Sequence, residues 1–274
     1  MELEHLLNNS QNLPTIPEVV RNLIKSFNDD YANIAGIAKT ISMDQALAGR
    51  VLKLANSARY GLPRKVASID DAVRLLGFTT LRSLVVASAL SSAFRAPPTL
   101  NLKAFWRGSF ATAGYASWLA KQGKHREDIA FTGGLMLHSG VLLLHMEAPL
   151  ESQRIDLEVA QGKFRPEAER AVFGFSHVDV SSEMAVRWNF PDEIVCGMRD
   201  FADPETTASF EPYGAIYRIA DFLADAQVRA LDQDYLDSRF PAELCRELGL
   251  DPDHVLSTLP PLATVLEGLD VLLG

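Results

Sequence analysis

The stretch of this chain with the greatest potential for chemistry is the apolar segment Ala130–Gly140, which contains His138 and Ser139. An apolar run closed by a polar pair and a glycine has the shape of a metal-binding helix segment. A divalent-metal hydrolase needs adjacent His and Asp here, because imidazole and carboxylate groups hold the metal. The chain instead offers Leu137 before His138, or His138 before Ser139. The site is therefore either altered or inactive.

Other histidines give weaker signals. His138 and His145 are seven residues apart, so on one helix they share a face but lie about 10.5 Å apart along the axis. That separation is too large for one metal ion with ligand bonds near ~2 Å. We expect one to be a hydrogen-bonded core histidine and the other to lie near a helix C-terminus, where positive charge is stabilised. Ser176 can cap a helix and place His177 in its first turn, which suits a ligand and a surface residue equally.

Polar residues at two further places have open interpretations. Asp221 has apolar neighbours and needs a partner, which can be a metal ion, an arginine or a helix N-terminus. Arg218, three residues earlier, offers the simplest answer, a pair on the helix surface. Asn56 and Ser57 end a predicted helix, where such residues suit a sharp turn. The alternative is a polar surface that a partner or ligand recognises.

Composition excludes several classes of function. The net charge of −9 and the short basic stretches argue against binding to duplex nucleic acid. No run reaches about 18 apolar residues, and the acidic start lacks a secretory signal, so we expect a cytoplasmic protein without a membrane partner. Cys196 and Cys245 have no metal-ligand spacing and are predicted to be reduced packing residues. Glycine-rich nucleotide loops and nucleophile elbows are absent, and we expect no cofactor.

Apolar periodicity predicts helices almost throughout and no strand with period-two alternation, hence an all-α fold. The stretch Arg95–Leu100 is a natural joint between two helical halves, and Asp203–Ser209 is a second one. We expect Asp70 or Asp71 to cap one helix and Thr79 or Thr80 to cap the next. The other predicted helices are Phe105–Lys121, Ile129–Met146, Glu167–Phe173, Val178–Trp188, Pro191–Phe201 and Ile216–Arg229.

An ordered set of short motifs resembles the HDOD domain, the HD-related output domain of bacterial signalling proteins. The resemblance covers roughly residues 10–225 and implies one unit over 1–274. It implies an N-terminal helical lobe over 10–94, an HD-like helical lobe over 100–225 and a C-terminal helical extension over 226–274. The motifs are Leu13–Glu18, Asp44–Leu47, Leu54–Ser57 with Tyr60–Gly61, Ala72–Gly77, Phe105–Arg107, Ala130–Phe131 with Gly134–Leu135, Phe173–His177, Arg187–Trp188 with Pro191, and Ala220–Asp221.

The HDOD domain is similar to HD-domain phosphohydrolases, which hold metals through His and Asp. When the ligand positions of those enzymes are matched one by one to this sequence, most of them hold a residue that cannot ligate a metal. His177 and Asp221 match ligand positions, and His138 falls in an aspartate position on the ungapped match. A one-residue shift would put His138 and Ser139 in the ligand pair instead. The positions without a donor side chain are Gly108, Leu137, Phe201 and Ala202.

The resemblance therefore implies a signal-transduction module that is not an enzyme and binds no catalytic metal. It implies contacts with other signalling proteins, such as those of cyclic di-GMP or two-component networks. One alternative is a metal-dependent phosphohydrolase acting on a cyclic dinucleotide through His138, His177 and Asp221. Another is a regulator that binds a nucleotide without cleaving it.

Overall fold

The computed structural model describes residues 2–8, 14–28, 33–57, 64–202, 211–269 and 272, and every regular element in these ranges is a helix. The all-α prediction is confirmed. The N-terminal elements are α1 (Leu3–Asn8), α2 (Glu18–Lys25), the 3-10 helix η1 (Ser26–Asn28), α3 (Ile34–Met43), α4 (Gln45–Ala55), α5 (Ile69–Leu76) and α6 (Phe78–Ala93).

Local sequence determines where these helices begin. Asp44 caps α4 by accepting from the backbone N–H of Leu47. The cap of α5 is Ser68, which accepts from the N–H of Asp71. The prediction of Asp70 or Asp71 as the cap was wrong, because the Ser68 hydroxyl is the group that accepts from a backbone N–H of the first turn, that of Asp71.

The predicted caps of α6, Thr79 and Thr80, were also wrong. The helix begins at Phe78, directly after Gly77. Gly77 has φ +80°, a left-handed conformation that an L side chain rarely adopts. The glycine therefore ends α5 and turns the chain into α6 without a side-chain cap.

Residues 95–100, the first predicted joint, contain no helix. The second predicted joint, 203–209, lies outside the described residues. The remaining helices are α7 (Leu102–Gln122), α8 (Glu127–Met136), α9 (Ser139–Glu147), α10 (Pro149–Ala160), α11 (Arg165–Phe173), α12 (His177–Arg187), α13 (Asp192–Asp200), α14 (Pro212–Val228), α15 (Gln233–Arg239), α16 (Ala242–Glu247), α17 (Pro252–Ser257) and α18 (Leu262–Leu266). Near the end of the described chain, α18 packs back onto α7.

The predicted continuous helix from Ile129 to Met146 is interrupted at Leu137 and His138, which separate α8 from α9. At the interruption the Ser139 hydroxyl donates to the carbonyl of Met136, and the N–H of Gly140 donates to Ser181 on α12. These bonds replace helical ones. Because His138 precedes α9 instead of lying within a helix, its side chain is directed by tertiary contacts.

Most of the run Glu127–Glu147 lies inside the protein. It is long and apolar enough to cross a membrane, but 89% of its most apolar window is buried. These are the properties of core helices. The buried apolar side chains of the described residues form one continuous cluster that includes Leu23 of α2, Phe110 of α7 and Val265 of α18. Both lobes and the extension therefore share a core.

Candidate functional site

Three of the candidate residues meet although they are far apart in sequence. His138 Nδ1 lies 3.0 Å from His177 Nε2, and His138 Nε2 lies 2.7 Å from Asp221 Oδ1. The rings of His138 and His177 meet edge to edge, with centroids 5.0 Å apart and planes inclined by 28°. The interruption between α8 and α9, the start of α12 and the middle of α14 supply the three side chains.

Glu169 on α11 fixes the orientation of His177. One carboxylate oxygen of Glu169 lies 2.6 Å from both the backbone N and Nδ1 of His177. His177 is completely buried, so the possibility that it is a surface residue is excluded. Burial lowers the pKa of His177 below its ordinary 6.5, although Glu169 opposes this effect. His177 is thus a neutral ring whose Nδ1–H donates to Glu169.

The hydrogen bonds determine the protons on His138. Since His177 donates from Nδ1, its Nε2 carries a lone pair, and His138 Nδ1 must donate to it. His138 Nε2 faces the carboxylate of Asp221, which accepts. An imidazole that donates from both nitrogens is a cation. We call His138, His177, Glu169 and Asp221 the histidine cluster.

Asp221 is the anionic end of the histidine cluster. Burial alone would raise the pKa of Asp221, but the charge of His138 and its hydrogen bond outweigh burial and lower it. Arg218 contributes a smaller electrostatic effect in the same direction. The predicted surface pair of Arg218 and Asp221 is wrong, because the guanidinium lies 3.6 Å from the ring centroid of Phe164 instead.

A polar chain that was not predicted from the sequence continues behind the histidine cluster. Arg165 lies 3.5 Å from Glu169 and 2.5 Å from Asp156, and Asp156 lies 3.3 Å from His145 Nε2. His145 Nδ1 lies 2.9 Å from the hydroxyl of Thr99. The spacing of Arg165 and Glu169, four residues apart on one helix, was a usable signal. These residues hold Glu169 in place.

The histidine cluster lies at the floor of a cleft of ≈ 650 Å³. The cleft is bounded by α7, the turn before α11, α14 and α15, and His138, His177 and Asp221 all contribute to its lining. Its volume falls within the range of small-molecule sites, about 300–1,000 Å³. We use "the cleft" for this cavity below.

A family model for the HDOD domain matches residues 13–204. The chain belongs to the HDOD family. The chain is 27% identical to a Shewanella amazonensis structure whose protein is proposed to be a phosphohydrolase, with a TM-score of 0.79 over 98% of this chain and 96% of that one. An HDOD domain protein of unknown function from Geobacter sulfurreducens is 25% identical, also with a TM-score of 0.79, and the coverage of the two chains is 98% and 96%.

A curated relative from Treponema pallidum, an uncharacterised protein, is 22% identical over 250 residues. The match covers 90% of this chain and 48% of the relative, so the chain spans about half of that protein's length. The HDOD assignment therefore defines the domain but not the protein machinery in which it acts.

The remaining HD-derived positions are dispersed around this HDOD site. Gly108 lines the cleft, and a Cβ there would meet no atom within 4 Å. Phe201 also lines it, with its ring centroid 6.2 Å from that of His138. Leu137 is buried in the core, and Ala202 is half-buried against it. Hydrocarbon or open space thus stands at the four positions that the resemblance matches to ligands.

Asn56 and Ser57 lie apart from the cleft at the end of α4. The Asn56 amide donates to the carbonyls of Leu52 and Val66, and its oxygen accepts from the N–H of Val66. Asn56 thereby ties the end of α4 to the segment before α5. This bonding favours the structural interpretation over a recognition surface.

The HDOD cleft is a poor fit for an HD-type metal pair. His177 Nε2 and one carboxylate oxygen of Asp221, Oδ1, both face His138, so the imidazole of His138 stands between the two groups that would ligate a metal. Among the described residues, no three or more His, Cys, Asp or Glu side chains are arranged to hold a metal ion. A dinuclear site needs several more imidazole and carboxylate donors than this cluster supplies.

Proposed function

We propose that this HDOD chain is a non-catalytic signal-transduction module of the bacterial cytoplasm that acts through contacts with other signalling proteins. The observation that supports it best is the position of the His138 imidazole between His177 Nε2 and Asp221 Oδ1, at 3.0 Å and 2.7 Å. An organic cation there has the charge that a metal would supply. It lacks the open coordination position that activates water.

The surroundings of His138 support the same proposal. Phe201 is completely buried with its ring nearly perpendicular to that of His138, and Gly108 carries no donor. Phosphoryl-transfer sites depend on several charged donors and metal ions around the phosphate. The charge of His138 is matched by Asp221, and that of Glu169 by Arg165, so the cluster with its neighbour Arg165 has the properties of a fixed structural network.

The test is metal content and turnover of the purified chain expressed with manganese, iron and nickel supplied. We expect metal well below one ion per chain and no hydrolysis of cyclic di-GMP or bis(4-nitrophenyl) phosphate. Stoichiometric metal with turnover that His138→Ala abolishes, and that the exposed control His254→Ala retains, would overturn the proposal.

The second candidate is a metal-dependent phosphohydrolase. The convergence of His138, His177 and Asp221 favours it, as does similarity to the Shewanella protein. It requires the His138 ring to turn away so that all three residues can face one ion. The same experiment separates the two candidates, because only the second predicts bound metal and hydrolysis.

The proposed contacts with other signalling proteins are tested by a separate measurement. We expect the chain, purified with an affinity tag from its native host, to retain proteins of cyclic di-GMP or two-component signalling. Retention of only metabolic enzymes or nucleic-acid-binding proteins would contradict this part of the proposal.

A further inference from the structure

The charge of the cleft is opposite to that of the chain. Although the chain carries a net charge of −9, the cationic side chains that line the cleft outnumber its carboxylates. The carboxylates are Asp221 and Asp225. The cations, besides His138, are Lys163, Arg165, Arg218, Arg229 and Arg239. Concentrated positive potential in a concave, partly apolar site attracts anions.

Three of these cations are already neutralised. Lys163 pairs with Glu158 at 2.7 Å, Arg165 with Asp156 at 2.5 Å, and Arg229 with Asp225 at 3.1 Å. For Arg218 and Arg239, no carboxylate of the described residues lies within 4.0 Å. The positive excess of the cleft is therefore located on α14 and at the end of α15.

Arg218 is the more informative of the two. Burial lowers its pKa, against the attraction of Asp221 and Glu167, so its charge is held in a partly desolvated place. One face of its guanidinium lies over Phe164, which fixes the plane of the group. A half-buried guanidinium without an ion-pair partner is costly unless another anion satisfies it. Its planar set of donors matches phosphate or carboxylate.

The apolar part of the lining adds flat surfaces. Phe105, Phe164, Phe222 and Tyr235, which are all at least partly exposed, contribute to it. Phe222 and Tyr235 stack nearly parallel, at 8° and 5.9 Å between centroids, and Tyr235 is 36% exposed. Aromatic walls beside cationic groups suit a ligand with a planar ring and an anionic group.

We propose that the cleft is a regulatory binding site for a small aromatic phosphate, a molecule with a planar ring and a phosphate group. The phosphate binds Arg218, with Arg239 at the rim, and the ring packs against the aromatic walls. The ligand is bound and not cleaved. This inference rests on the proposed function in one respect: binding of the ligand is the signal to which the signal-transduction module responds.

The experiment is isothermal titration of the full chain with AMP, phenyl phosphate, inorganic phosphate and adenosine. We expect AMP or phenyl phosphate to saturate the site, inorganic phosphate to bind more weakly because it lacks a ring, and adenosine not to bind. No heat with AMP and phenyl phosphate at about 1 mM would overturn the inference. Equal binding of adenosine and AMP would also overturn it, because the anion would then be irrelevant.

Two variants test the residues. We expect Arg218→Gln to weaken binding by about tenfold or more, the factor typical of a lost charge-assisted hydrogen bond. Arg239→Gln, an exposed change that leaves the stack on Phe164 intact, should weaken binding less and keep the melting temperature. Arg74→Gln, at an exposed position of α5 outside the cleft, is the matched control. Unchanged affinity in both cleft variants would contradict the site.

Product analysis of the same samples separates this inference from the proposed function. Binding without hydrolysis supports both. Binding with hydrolysis keeps the site but overturns the non-catalytic module. Absence of binding overturns the site alone, since contacts with proteins do not require it.

Discussion

Two clusters in this protein both pair cationic side chains with carboxylates, but they differ in their surroundings. The first, which we call the inter-lobe cluster, consists of Arg82 on α6 with Arg126 and Asp128 at the start of α8. Asp128 pairs with both arginines. Arg82 also donates to the carbonyl of Ser26 at 2.6 Å, and its guanidinium lies 3.9 Å from the ring centroid of Phe27. The second is the histidine cluster.

The inter-lobe cluster lies outside the cleft lining and joins the N-terminal lobe to α8. Its charges are directed at one another and at backbone carbonyls. The histidine cluster is equally well paired internally, but it forms the floor of a cleft whose rim carries two arginines without carboxylate partners. The difference shows that pairing alone does not identify a functional site. An accessible cavity and an unmatched charge beside it do.

We expect the largest loss of stability from removing the carboxylate of the inter-lobe cluster. In Asp128→Asn the guanidinium of Arg82, whose side chain is 5% exposed, loses its counter-charge. Breaking a buried pair in this way costs roughly 3–5 kcal/mol. We expect a large fall in the midpoint of urea unfolding, while AMP affinity of the folded fraction stays the same.

The matched control is Asp71→Asn, because Asp71 pairs with Arg64 on the surface of the same lobe at 2.9 Å. Solvent screens that pair, so its loss should leave the unfolding midpoint almost unchanged. Equal midpoints for the two variants would mean that the inter-lobe cluster has no special role in joining the lobes.

We expect an intermediate loss of stability when the packing around the histidine cluster is disturbed. A Cβ on Gly140 would lie 2.2 Å from the carbonyl oxygen of His177 and 2.8 Å from Val180 Cβ. Gly140→Ala must therefore push α9 from α12, at a cost of roughly 1–3 kcal/mol. Thermal unfolding measures the loss. AMP binding should weaken as well, because the shift moves His138 relative to His177.

Gly108→Ala is the control, since the added methyl group at the cleft wall meets no atom within 4 Å. Its helical position should make it neutral or slightly stabilising, by up to about 1 kcal/mol. Equal melting temperatures for Gly140→Ala and Gly108→Ala would mean that the close approach of α9 and α12 does not position the histidine cluster.

The helical architecture was predictable because apolar periodicity is a local property. Helices such as α7 and α14 were placed to within a few residues, and His138, His177 and Asp221 were identified as candidates. Their pairing was not predictable, because His138 and Asp221 lie 83 positions apart. The interruption before α9 was missed for the same reason, since it depends on the Ser181 hydroxyl and on the close approach at Gly140.

The smallest expected effect is on the pH dependence of the free energy of unfolding. Titration near neutral pH arises from the histidine cluster and not from the inter-lobe cluster, which has no histidine. The pKa of His177 is lower in the folded state than its ordinary 6.5, so below about pH 6.5 the unfolded chain binds a proton that the folded chain does not. Its contribution to stability is therefore present at neutral pH and is lost on acidification. Glu169 and Asp221, whose pKa values are also lowered, lose theirs only below their ordinary values of 4.5 and 3.8.

We therefore expect the wild type to lose stability relative to His177→Gln as the pH is lowered from 7 to 5, because the variant retains a donor for Glu169 but does not titrate at this position. Nitrogen-15 NMR of the wild type should show His177 neutral with its proton on Nδ1, and His138 protonated on both nitrogens. Equal slopes in the two proteins, together with a protonated His177 at pH 6, would reverse the assignment of charge within the cluster. His138 would then no longer be the cation that stands between His177 and Asp221, and it would not take the place of a metal ion there.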